Sequence, residues 1–343
     1  MTSTDFVAGL AAPGLLLGTA LLSAALLVLL KPLLVRYALA RPNARSSHRI
    51  PTPQGGGIAV VGACLAVAGI VLWASGLPMG GFLVVAAASI ALAAVGAVDD
   101  IRPLPAGPRL LLQVAAVAAI VVASQVRVLP EVVPLVLEQA FLILGGVWFV
   151  NLVNFMDGLD WITVAEMVPV TAFVAAFGLF VVPEPGPAPL VALTLCGAIL
   201  GFAPFNRPVA KLFLGDVGSL PIGLLVGWML LELAGTGALA AALLLPLYHL
   251  MDATITLLKR LARGEKVWEA HRSHFYQQAT TNGFTPLAVS AHVFGLNLLL
   301  AGLATVTLIW PFWPVQVACL AAGVVLVGLL LSHFAKPRLK SPA

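Results

Sequence analysis

Two adjacent carboxylates, Asp99 and Asp100, close an apolar run of this 343-residue chain. Neighbouring anions at a membrane boundary repel each other and lose hydration, so they persist where a cation or a set of bases offsets that cost. Mg²⁺ suits such a place, because it takes a few carboxylates and fills its other positions with phosphate oxygens. A solvated helix end is the plainer alternative.

A second stretch runs Asn151-Leu-Val-Asn154-Phe-Met-Asp157-Gly158-Leu-Asp160. Asn151 and Asn154 are three apart and share a helix face, and Asp157 and Asp160 repeat that spacing one turn later. Four oxygen-bearing side chains in a stretch without bases make an acidic site. An Asx-rich turn around Gly158 would account for one Asp but hardly for both pairs. A third stretch, Phe213-Leu-Gly215-Asp216-Val-Gly218-Ser219, sets a carboxylate between glycines at the start of an apolar run. Such a turn lets backbone approach a ligand closely, or lets Asp216 simply cap a helix.

Two basic stretches face these acids. His271-Arg272-Ser273-His274-Phe-Tyr276-Gln277 places two imidazoles at helical spacing. As zinc ligands they lack a third nitrogen or sulfur nearby. As cationic and hydrogen-bonding groups they suit a diphosphate. Arg45-Ser-Ser-His48-Arg49 precedes the triplet Gly55-Gly56-Gly57. Its bases suit phosphate or anionic lipid, and the triplet is no Walker loop, since no Gly-Lys-Ser/Thr follows. The alternatives are a solvated basic loop for the first and a flexible entry to the next span beside headgroups for the second. His249, His292 and His333 stand alone in or beside apolar runs and read as structural.

The elements that position these groups are membrane helices. Hydrophobic residues make up 61% of the chain and charged residues 9%, against roughly a quarter in soluble domains. Apolar runs of about twenty residues recur, each long enough for a hydrocarbon core, without the alternation of barrel strands. The pattern predicts an all-α polytopic membrane protein, a single domain over residues 1–343 with about eleven spans. These fall near 8–30, 55–75, 81–98, 110–126, 134–153, 162–182, 188–204, 217–234, 238–258, 286–309 and 314–334. Cys64, Cys196 and Cys319 lie in separate apolar runs with no metal or disulfide spacing.

Charge sets the expected orientation. No basic residue precedes the first run, which argues against a cleaved signal peptide. Threading from an outside N-terminus puts 17 of the 18 Lys and Arg residues on the cytoplasmic side, along with the C-terminus; Arg127 is the exception. The loops near 31–54, 99–109, 154–161, 205–216 and 259–285 then share one face. The net charge of +4 belongs to loops beside anionic headgroups and calls for no nucleic acid.

Taken in order, these motifs resemble the polyprenyl-phosphate N-acetylhexosamine-1-phosphate transferase family, glycosyltransferase family 4. The resemblance covers about residues 45–280. It implies a Mg²⁺-dependent enzyme, with Mn²⁺ as a substitute, in the bacterial inner membrane with its active site cytoplasmic. The expected partners are a UDP-N-acetylhexosamine donor, an undecaprenyl or other polyprenyl phosphate acceptor and membrane lipids, with room for a homodimer. The products are UMP and the first lipid-linked sugar of a cell-envelope glycan. On the matched positions, Asp216 and Asn154 would hold the metal. Asp99, Asp100, Asp157, Asp160, His271 and His274 would serve catalysis. Arg45, His48, Arg109, Asn151, Arg272 and Ser219 would bind substrate. The His-Arg-x-His pattern looks more like the O-antigen-initiating, lipopolysaccharide branch than the branch making lipid I, and Trp161 stands where many members have Gly.

Two other readings use the same residues. A lipid-linked sugar flippase would need ionisable groups within spans, for which Glu166, Glu232 and Asp252 are the candidates. A CDP-alcohol enzyme would need Asp-Gly-x-x-Ala-Arg, whereas Asp157-Gly158 continues Leu-Asp.

Overall fold

The computed structural model describes residues 3–40, 51–182, 186–266 and 271–337. The expected substrate residues Arg45 and His48 lie outside the described residues. In chain order the elements are α1 (Ser3–Tyr37), β1 (Leu39–Ala40), β2 (Thr52–Pro53), α2 (Gly57–Ala74), α3 (Gly80–Ile101), α4 (Ala106–Ser124) and α5 (Leu135–Met156). There follow α6 (Ile162–Phe180), α7 (Pro187–Phe202), α8 (Asp216–Leu233), α9 (Leu239–Leu244), α10 (Leu247–Ala262), α11 (Phe275–Thr281), α12 (Pro286–Ile309) and α13 (Trp313–Ala335). The fold is that of an all-α polytopic membrane protein.

Among the described residues, nine helical stretches are long and apolar enough to cross a membrane, with Asp216–Leu244 counted as one; α7 is apolar but shorter. The expected spans 217–234 and 238–258 meet at Gly237, whose φ of +87° breaks the helical path between α8 and α9. The second of them is itself divided at Leu245-Pro246 into α9 and α10. Proline there offers no N–H to the helix and crowds the preceding turn.

α8 is the central helix. It packs against α3 and α5 and also touches α2, and most of its residues are buried. Two close approaches seat it. A Cβ on Gly57 would lie 2.1 Å from the Gly218 Cα, and one on Gly96 would lie 2.3 Å from the Asp216 carbonyl oxygen. The backbones of α2 and α3 therefore touch the first turn of α8. A short pairing leads into this turn. β1 and β2 are antiparallel, with Leu39 opposite Pro53, and Gly56 and Gly57 donate their N–H groups to the carbonyls of Phe213 and Leu214 at 2.9 Å each.

The one base expected on the far side is locally neutralised. Arg127 pairs with the fully buried Glu138 at the start of α5. Glu138 also accepts the backbone N–H groups of Val128 and Leu129 at 2.6 and 2.9 Å.

Candidate active site

Four carboxylates meet where α3 and α5 end and α8 begins. Asp99 and Asp100 occupy the last turn of α3, Asn154 the last turn of α5, Asp157 its C-terminal cap, and Asp216 the first residue of α8. Asp100 directs both oxygens at the start of α8, accepting the N–H of Asp216 at 3.0 Å and of Val217 at 3.1 Å. An anion there satisfies amides that the helix leaves unpaired and meets the positive end of its dipole. Gly215 makes the turn possible: its φ is +76°, and a Cβ would sit 2.5 Å from Asp100 Oδ2.

The Asp216 side chain is held separately. Asn154 Nδ2 donates to Asp216 Oδ1 and to Ser219 Oγ, each at 2.8 Å. Arg109 Nη1 lies 2.5 Å from Asp99 Oδ2 and 3.6 Å from Asp216 Oδ2, so one guanidinium bridges two acids. Asp99 Oδ1 accepts the Leu104 N–H at 2.6 Å. Asp157 accepts the Thr163 hydroxyl. Burial pushes the Asp157 carboxyl up to about 8, and the charges of Asp216 and Asp100 add to that shift.

A cavity of about 510 Å³ opens beside this cluster, with Asp100, Asn154, Asp157, Asp160 and Asp216 in its wall. Asp160 braces the wall: its Oδ2 accepts the Ala210 N–H at 3.0 Å, and its carbonyl accepts the Ser290 hydroxyl at 2.8 Å. Asn151 turns elsewhere. It donates to Gln113 of α4 at 2.6 Å and to its own helix at Val147, and it is not part of the cavity wall.

The histidine loop stands beside the cavity rather than in its wall. Tyr276 anchors it, donating its hydroxyl to the Phe155 carbonyl at 3.0 Å. His271 is half-buried, with Nδ1 2.8 Å from Ser273 Oγ. His274 lies beneath it, only 2% exposed. Arg272 is half-buried as well.

The donor set fits a hard divalent cation. Asp99 and Asp216 share one guanidinium, and Asp100 and Asp157 stand beside them in a partly buried place. Among the described residues no group of three or more His, Cys, Asp and Glu forms a complete metal cage.

Comparison with known proteins places the chain in a family. The family model described as glycosyl transferase family 4 matches residues 82–234. The chain is 30% identical over 321 residues to a phospho-N-acetylmuramoyl-pentapeptide-transferase of Synechococcus sp. (strain JA-3-3Ab), covering 87% of this chain and 90% of that protein. The chain belongs to the polyprenyl-phosphate N-acetylhexosamine-1-phosphate transferase family. It is also 33% identical over 219 residues to a decaprenyl-phosphate N-acetylglucosaminephosphotransferase of Mycolicibacterium smegmatis, a match that spans 57% of this chain and 53%, about half, of that protein. The enzyme of the same name from Mycobacterium tuberculosis (strain ATCC 25618 / H37Rv) is 29% identical over 279 residues, 70% of this chain and 68% of that one.

Within the family pattern, Trp161 adopts the left-handed conformation that a glycine would take, at φ +64°. Two bonds hold it there: its N–H donates to Asn206 Oδ1 at 2.8 Å and its indole to the Ala203 carbonyl at 2.6 Å. Asn206 and Gln54 are parts of the site that sequence reasoning missed. Gln54 donates to the Asp100 carbonyl at 2.7 Å, and both residues line the cavity. Gln54 does abut the glycine triplet in sequence. Asn206 has only its place before Arg207-Pro208 to mark it.

Proposed function

We propose that this protein moves an N-acetylhexosamine-1-phosphate from a UDP-sugar to a polyprenyl phosphate, releasing UMP, at the cytoplasmic face of a bacterial inner membrane. The observation that carries the reading is one continuous seam between α5 and α8. At its end, Asn154 joins Asp216 and Ser219. One turn further along, Val150 and Gly223 line an apolar groove of about 290 Å³. A lipid tail in that groove brings its phosphate to the acidic cluster, where the cavity can take a nucleotide sugar. The placement of 17 of 18 Lys and Arg residues supports the cytoplasmic side.

In the proposed reaction an oxygen of the lipid phosphate attacks the sugar-bearing phosphorus. The bond from that phosphorus to the bridging oxygen breaks, and UMP leaves with that oxygen. Phosphoryl transfer of this kind rests on positioning and charge stabilisation. Asp216 and Asn154 would hold Mg²⁺, which when bound neutralises the diphosphate charge. Arg109 would face the same phosphates, oriented by Asp99. The contacts of Asp99 favour positioning over proton removal, since both of its oxygens are engaged. Asp157 and Asp160 would shape the nucleotide end of the cavity, and His271 and Arg272 would meet the diphosphate from its side.

The mycobacterial relatives, named as N-acetylglucosaminephosphotransferases, support a UDP-N-acetylglucosamine-like donor for an envelope glycan. The Synechococcus relative supports a second reading, a muramoyl-pentapeptide donor. Purified protein with undecaprenyl phosphate, Mg²⁺ and a panel of UDP-N-acetyl sugars, including UDP-muramoyl-pentapeptide, tests both. UMP release identifies the reaction and the productive donor identifies the branch. No UMP from any donor would overturn the proposal.

A further inference from the structure

Asp252 on α10 is fully buried, yet it belongs to none of the acidic motifs above. Its surroundings are crowded with donors. Oδ1 accepts the Phe275 N–H at 2.9 Å and the Thr256 hydroxyl at 3.2 Å. Oδ2 accepts the Tyr276 N–H at 3.1 Å and the Tyr248 hydroxyl at 3.2 Å. These bonds fix the first two amides of α11 just after the histidine pair. The carboxylate also lies beside the pair itself: His274 Nδ1 is 3.4 Å from Oδ1, close but not hydrogen-bonded to it.

A column of rings continues from that contact. The His274 ring stacks on Tyr276 at a centroid distance of 5.8 Å and on Phe155 at 6.5 Å. The His271 ring lies 4.8 Å from it on another side. His274 is buried and His271 is half-exposed, so only the latter has a surface to offer a substrate. Phe155 follows Asn154 directly, which ties the column to the acidic cluster.

We propose that Asp252 is a positioning residue for His271, acting through the buried imidazole of His274. The inference rests on the proposed transfer and extends it. Asp252 sets where the loop's one accessible histidine stands relative to the diphosphate. Helix capping alone would use its two amide bonds. The contact with His274 and the ring column above it have no part in capping.

The test is a double-mutant cycle on the full-length protein, read as kcat and KM for UMP release. Asp252→Asn should lower kcat more than it raises KM. In a His271→Asn background the same change should cost nothing further, because the residue it acts on is already gone. The difference between backgrounds should lie between about 2-fold and 100-fold, the coupling range for residues of one network. An equal loss in both backgrounds, or no loss in either, overturns the proposal. If Asp252→Asn does not fold, Thr256→Val weakens the same Oδ1 and should give a smaller loss that is again absent with His271→Asn.

A second readout needs no turnover. Diethyl pyrocarbonate should modify His274 faster in the folded Asp252→Asn protein than in wild type, as mapped on peptides; an unchanged rate counts against the contact. Should wild type release no UMP, the transfer reading fails while this comparison still tests the contact of Asp252 with His274 on which the proposal depends.

Discussion

The carboxylate of Asp100 and the backbone amide of Asp216 lie 3.0 Å apart, so one acid of the adjacent pair holds the main chain of the acid proposed to face the metal. Asp99 and Asp100 thereby divide their work, one engaging Arg109 and the other the start of α8. Asp100→Asn should lose both stability, by about 1–2 kcal/mol as for a lost helix cap, and activity. Asp216→Asn should keep its thermal unfolding profile and lose Mg²⁺-dependent UMP release. Unchanged activity in Asp216→Asn would remove it from the metal site.

The raised carboxyl of Asp157 predicts a pH dependence of stability. Its value moves from 3.8 to about 8 on folding. The folded protein thus holds a proton that the unfolded chain has released, and stability falls as pH rises between about 4 and 8. In chelator, the melting temperature should drop from pH 5 to pH 8, and Asp157→Asn should flatten that drop. Excess Mg²⁺ should raise the melting temperature at pH 8, because a ligand of the folded protein alone stabilises it. A profile identical in wild type and Asp157→Asn would contradict this.

Trp161 combines an unfavourable backbone with two good anchors. Trp161→Gly relieves the left-handed conformation, a gain of about 1 kcal/mol, while losing the indole bond to Ala203. Trp161→Ala loses the bond and keeps the conformation. Alanine should therefore be the less stable replacement in thermal unfolding, and the reverse order would show that the φ of +64° costs nothing.

Arg127 and Glu138 offer a change remote from the cavity. Glu138 begins α5 and Asn154 ends it. Arg127→Met leaves a buried carboxylate with only its backbone partners, and should destabilise by about 1–3 kcal/mol. Adding Glu138→Gln should recover part of that loss. UMP release below the melting range should stay at the wild-type rate in both, measured per folded protein.

The motifs legible in the sequence are those whose partners lie within a few residues or at a helix end. Asp100, Asn154, Asp157 and the Gly215-Asp216 turn all reach one cavity, because each stands where an apolar run stops; Asp99 joins them through Arg109. Asn151 shares the helical spacing of Asn154 but points to Gln113, since its face meets α4. Asp252 reads from sequence only as a charge within an apolar span. Its partners at Phe275 and Tyr276 lie on another element, and nothing in their spacing announces it. The break at Leu245-Pro246 is marked by its proline, and α10 beyond it is amphipathic and falls outside the nine stretches long and apolar enough to cross a membrane, so the expected span 238–258 does not form as one.

The glycine contacts at Gly57 and Gly96 have a consequence for divergence. The acidic core is locked by main chain against main chain, so side-chain variation cannot retune its spacing. The cavity rim around Asn206 and Ala210 is loop, free of that constraint. A saturation library selected for transfer should therefore yield altered donor preference from rim positions and only loss from the first turn of α8. On the proposed function, the chemistry is rigid by construction, and the choice of sugar is the part left open to change.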